Sequence, residues 1–142
     1  MKLFIFIGLL IIYSSINGEI SQLRHVHVLY RHGGRSPIFT FPTDSNQIDK
    51  WPLGLGQLTN KGIIQHFQLG LWLRKRYQCL VGEDFSHSSM YVRSSDMDRT
   101  LMSAESNLAG FFFNSPGQII KGLKWRPTPI HTVETVSNNF IH

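Results

Sequence analysis

Residues 23–37 read LRHVHVLYRHGGRSP, and the way this stretch changes character half-way decides the fold. In its first part Val26, Val28 and Tyr30 alternate onto one face, and a short, β-branched run of this kind predicts a strand. Arg31 to Pro37 then form a loop, where Gly33 and Gly34 allow the backbone to bend sharply. In open α/β sheets ligands bind beyond the carboxyl ends of the strands. Two arginines and a histidine therefore stand where such a sheet would hold its ligand.

Working outward, residues 38–58 carry Pro42, Pro52, Gly54 and Gly56 and read as irregular structure. From Thr59, a plausible N-cap, Ile63, Phe67 and Leu71, with Ile64 and Trp72 beside them, predict one helical face to about Gln78. A second short strand, Met90 to Arg93, leads into a helix carrying Leu101, Ala104, Leu108 and Phe112, closed by Pro116-Gly117. Ser95 and Asp98 have the spacing of a capping box at its start. Strand, loop, helix, strand, helix is the order of an α/β sheet with crossover connections. The aromatic run Phe111 to Phe113 continues the helical face and reads as core.

Each predicted strand delivers an arginine at its carboxyl end, Arg31 and Arg93, and parallel neighbouring strands would bring both to one pocket. Arg35 lies four residues past Arg31. Forked guanidinium donors suit an oxyanion with several oxygens, above all a phosphate. His32 among them adds a reaction, because a neutral imidazole nitrogen can attack phosphorus and form a covalent intermediate. The arginines would stabilise the charge on the equatorial oxygens during transfer. The competing readings are a histidine that caps the strand and arginines solvated at a sheet end.

The remaining features set boundaries. Lys2, an apolar run of about eleven residues from Leu3 to Tyr13, and the small and polar residues that follow read as a signal peptide over 1–18. That run is shorter than the ~20 residues a spanning helix needs, so no stable membrane anchor is expected. Lys2 aside, thirteen Lys and Arg face nine Asp and Glu. The balance is mildly basic and spread out, so nucleic acid is not an expected partner. Arg74 to Arg76 form the one basic trio and are expected in the last turn of the first helix, where cations suit the dipole. Cys79 is the only cysteine and has no partner for a disulfide within these residues. His25 and His27 share a strand face at a spacing that can chelate a metal; no third ligand is evident, and no metal or cofactor is assigned. His66 and His87 carry no further signal.

RHGGRSP, residues 31–37, resembles the Arg-His-Gly-x-Arg-x-Pro motif of the histidine acid phosphatases, within the histidine phosphatase superfamily. A second segment, YVRSSDMDRTLMSAESNLAGFF from Tyr91, resembles the arginine-bearing strand and following helix of the prostatic and lysosomal members. FPTDSN, WPLGLGQLTNKG, LRKRY and WRPTPIHTV fall in the same order as in that subgroup, so the likeness runs from Leu23 to Val133. It implies a three-layer α/β/α sandwich with a mostly parallel central sheet. It also implies His32 as the nucleophile that becomes phosphohistidine, Arg31, Arg35 and Arg93 as phosphate ligands, and small phosphomonoesters as substrates. Gly34 occupies the motif's variable position. Trp125 to His131 resemble the subunit contact of the dimeric members, which suggests a homodimer. A secreted or lysosomal location follows from the leader and the resemblance together.

The family's later His-Asp pair, whose aspartate protonates the leaving alcohol, is not among these residues. Residues 19–142 therefore read as the N-terminal part of the phosphatase domain, incomplete in its sheet and weakly active or inactive alone. A secreted protein that binds a phosphate-bearing ligand without turning it over is the alternative. Asp96 and Asp98 are candidate substitute acids that also suit helix capping.

Overall fold

The computed structural model describes residues 23–116, 120, 122–123 and 126–132. The expected signal peptide and Trp125 lie outside the described residues. Two helices packed on each other dominate: α1, Asn60–Val81, and α2, Asp98–Phe111. Beside them β1, Arg93–Ser94, pairs in parallel with β2, His131–Thr132. Helices with a small parallel sheet make this an α/β arrangement, incomplete within the described residues.

Thr59 caps α1 as its sequence position suggests, its side-chain oxygen accepting from Gly62 N at 3.2 Å. The helix runs three residues beyond Gln78 and stops at Gly82, whose φ of 80° is a conformation only glycine adopts without cost. Arg74 to Arg76 are thus mid-helix, not in the last turn. Arg74 instead lies over the rings of Phe111 and Phe112, 5.4 and 5.8 Å from their centroids, and donates to Glu83 O.

The face that α1 buries also differs from the apolar pattern. Gly62, His66, Gly70 and Leu73 are buried, while Ile64, Leu71 and Trp72 are exposed. Close backbone approach explains the shift. A Cβ on Gly70 would fall on Asn107 O, and one on Gly110 would fall on Phe67 O. Glycine on both helices lets them pack nearly backbone to backbone, and this contact outweighs the burial of the larger residues one position away. Asn107 Nδ2 donates to His66 O at 3.3 Å within the same contact.

In α2 the N-cap is Met97, without a side-chain cap; Ser95 instead donates to Thr100 Oγ1 at 3.0 Å. The capping-box expectation fails because the helix starts at Asp98, which leaves Ser95 too early to reach the first-turn amides. The helix ends at Phe111, before Pro116, and Gly117 lies outside the described residues. Leu73, Val81, Leu108, Phe111 and Phe112 form the core, with Leu69, Tyr77, Phe85 and Val92 packed against it. Each such side chain contributes roughly 1.5–3 kcal/mol on full burial. Of Phe111 to Phe113, all expected in the core, Phe111 and Phe112 are buried in it and Phe113 is half-buried.

The first expected strand is the main departure. Among the described residues Leu23 to Tyr30 belong to no ladder, and the parallel partner of β1 is β2. The second strand starts at Arg93, where the sequence places its end. No helix of the described residues is long and apolar enough to cross a membrane.

Candidate active site

Arg31 to Arg35 are shaped by what lies beneath them. Thr59 N and Thr59 Oγ1 both donate to Gly34 O, at 2.9 and 2.8 Å, which ties the loop to the start of α1. Gly34 N donates to Gln65 Oε1 and Gly33 N to Ser103 Oγ, each at 3.0 Å, so both helices hold its amides. Gly62 lies directly under the loop, where a Cβ would fall on Gly34 O. Downstream, Arg35 bridges Leu58, and Ser36 exchanges bonds with Gln57: Ser36 N donates to Gln57 O at 2.9 Å, and Gln57 N to Ser36 Oγ at 3.0 Å. Ser36 and Leu58 are almost wholly buried. Two glycines between anchored flanks are therefore held in place, with the amides of Gly33, Gly34 and Ser36 each claimed.

Its outer side opens on a shallow depression of about 420 Å³ lined by Arg31, His32, Arg35, Gln65, His66 and the two glycines among others. Arg31 is exposed, and Arg35 is half-buried with Nη1 donating to Ser36 O at 2.8 Å. His32 Nδ1 stands 2.8 Å from Gly33 O. A carbonyl only accepts, so Nδ1 carries the proton and the neutral ring keeps its lone pair on Nε2. The loop thereby selects the tautomer.

His66, to which the sequence attached no role, supports the loop from α1. It is 4% exposed, its Nε2 donates to Arg31 O at 3.0 Å, and its ring lies 5.1 Å from that of Tyr30. Nδ1 is buried without a partner among the described residues. Burial holds the His66 pKa below its usual value, opposed by the bond to Arg31 O and assisted by repulsion from His32. Burial thus favours the neutral His66 ring. Burial likewise raises the pKa of Tyr30.

Arg93 stands apart from this group. It is exposed at the start of β1 and lines a second groove, of about 510 Å³, together with residues 24–30. The structure thus brings Arg31, His32 and Arg35 to one depression and puts Arg93 in the adjoining groove. Asp96 and Asp98 are exposed, and neither lines the depression. The supporting residues that sequence reasoning missed are Gly62, Gln65, His66 and Ser103. A signal for two of them was present, since Gly62, His66 and Gly70 recur every fourth residue.

A family model described as the histidine phosphatase superfamily (branch 2) matches residues 22–139. The chain belongs to that family. Lysosomal acid phosphatase of Bos taurus is 48% identical over 122 residues, covering 84% of this chain and 28% of the relative. Prostatic acid phosphatase of Homo sapiens is 45% identical over 122 residues, covering 85% of this chain and 32% of the relative. The chain thus spans roughly 30% of the length of these histidine phosphatases. Among solved structures, the phytase from Citrobacter braakii matches with a TM-score of 0.50 and 27% identity, covering 56% of this chain and 22% of that one. The Klebsiella sp ASR1 phytase matches with a TM-score of 0.52 at 24% identity, over 73% of this chain and 25% of that one, a likeness of fold. These neighbours place the helices and parallel sheet in the α/β fold of the histidine phosphatases.

Proposed function

We propose that this chain carries the phosphate-binding and nucleophilic part of an acid phosphatase acting on small phosphate monoesters. The observation that carries the proposal is the His32 tautomer: with Nδ1 donating to Gly33 O, the Nε2 lone pair is the free nucleophile. In the first step Nε2 bonds to phosphorus as the P–O bond to the alcohol breaks, giving phosphohistidine. The departing alkoxide takes a proton from a general acid, the role the family resemblance gives to a His-Asp pair that these residues do not include. In the second step water attacks phosphorus, releasing phosphate and restoring Nε2.

Arg31 and Arg35 flank His32 and neutralise the phosphoryl oxygens, and Arg93 joins them from β1 when substrate is bound. The acid phosphatase relatives support the phosphatase reading. We place the protein on the secretory route, to the outside or the lysosome, on the leader-like residues 1–18 and the lysosomal relatives. The same reading includes a homodimer through residues 125–131, of which His131 is exposed.

The test is to incubate the 142-residue chain with a small phosphomonoester and trap an acid-labile phosphate on His32 by mass spectrometry at neutral to basic pH. An adduct on His32, lost in His32→Asn, is expected. Saturable phosphate binding without an adduct would favour a binding protein over an enzyme, and neither result would remove both readings.

A further inference from the structure

His25 and His27 lie in the extended segment that leads into the His32 loop, line the groove separate from the depression, and are both exposed. Residues two apart on an extended chain project to the same side. Here the outcome is close: the two Nε2 atoms stand 3.1 Å apart, with the rings edge to face and their centroids 4.4 Å apart. One ring donates its Nε2 proton to the lone pair of the other, which places both Nε2 atoms against one point in space.

That spacing is nearly the bite of a chelate. Two imidazole nitrogens bound at ~2.0–2.1 Å stand about 2.9 Å apart when cis on a tetragonal ion and about 3.3 Å apart on a tetrahedral one. An ion can replace the shared proton with little movement, provided the donating ring shifts its proton from Nε2 to Nδ1. Both rings then present Nε2 lone pairs, and the neutral pair releases no net proton.

We propose that His25 and His27 form a bidentate site for a borderline divalent transition ion. Imidazole ligands suit Cu²⁺, Ni²⁺ and Zn²⁺, with Cu²⁺ bound tightest, and do not suit Mg²⁺ or Ca²⁺. Among the described residues no group of three His, Cys, Asp or Glu is gathered, so water fills the other positions. The site is independent of the chemistry at His32. Its effect on the loop is mechanical, because an ion there pins the segment that enters at Arg31.

Titration of Cu²⁺ into the 142-residue chain tests this by calorimetry and electron paramagnetic resonance. One equivalent of Cu²⁺ coupled to two imidazole nitrogens is expected, with each of His25→Asn and His27→Asn weakening it at least about tenfold and His87→Asn leaving it unchanged. An N-acetylated nine-residue peptide spanning 23–31, its terminal amine blocked so that it cannot bind Cu²⁺ together with His25, should bind at least about tenfold more weakly than the chain, since only the folded segment preorganises the pair. Absence of saturable binding, or binding unchanged in both single variants, would overturn the site. Equal affinity in the peptide would overturn its presentation by the fold.

Discussion

His66 Nε2 donates to the main-chain carbonyl of Arg31 at 3.0 Å, so a buried helical side chain grips the residue just before His32. Replacing His66 by alanine leaves that carbonyl without its partner and opens a gap beside Tyr30. A loss of about 0.5–1.5 kcal/mol is expected, the net worth of one part-buried hydrogen bond. Urea unfolding of His66→Ala against the parent chain reads it directly, and an unchanged midpoint would argue against the contact.

The same residue sets a pH dependence. Its folded pKa lies below the ordinary 6.5 because burial disfavours the charged ring. As pH falls below 6.5, the unfolded chain takes up a proton that the folded chain refuses, so stability declines until the folded pKa is passed. Unfolding midpoints measured from pH 7.5 downward should show this slope, and His66→Gln should flatten it.

Gly62 is the point where the loop rests on α1. Adding a Cβ drives it into Gly34 O and to 2.7 Å from Leu58 Cδ1, which is itself fully buried. Gly62→Ala is expected to destabilise by about 1–3 kcal/mol through overpacking. The loop should shift as well, visible as weakened phosphate binding by calorimetry. Gly54→Ala meets nothing within 4 Å, but its φ of 86° strains the backbone, so it should cost stability while leaving phosphate binding intact.

Thr59 joins two duties, capping α1 and holding Gly34 O. Thr59→Ala should cost about 0.5–2 kcal/mol, the range for a lost N-cap. Thr59→Ser keeps the hydroxyl and should recover most of it in the same thermal-unfolding comparison.

The arginines give a graded test. Each charge-assisted bond to phosphate contributes about 1.5–3 kcal/mol, or at least about tenfold in affinity. Arg31→Ala and Arg35→Ala should therefore each weaken phosphate binding by that factor. Arg93→Ala decides whether β1 reaches the same anion: an unchanged affinity would place Arg93 outside the phosphate site of this chain.

The elements that could be read from the sequence are those specified by local chemistry. Thr59 marks the start of α1 because a hydroxyl cap is a local requirement, whereas the stop at Gly82 went unread and the expected end at Gln78 falls three residues short; the apolar spacing of Ala104 and Leu108 marked the buried side of α2. The Arg31-His32 loop was legible for the same reason: its glycines and charges are contiguous. Ser95 misled because a capping pattern names a spacing, while the start of a helix depends on which residue first adopts helical backbone.

By itself, then, the sequence determined the α/β class, the candidate nucleophile and the two arginines beside it, since each is carried by adjacent residues or by a short period. The tertiary structure alone decided that Gly62, His66 and Gly70 face inward in place of Ile64 and Leu71. It also decided that Ser103 and Gln65 hold the loop amides and that β1 pairs with β2. These choices depend on how closely two backbones approach and on which distant donor meets a free carbonyl. Such distances belong to pairs of segments far apart in the chain, so no local pattern encodes them.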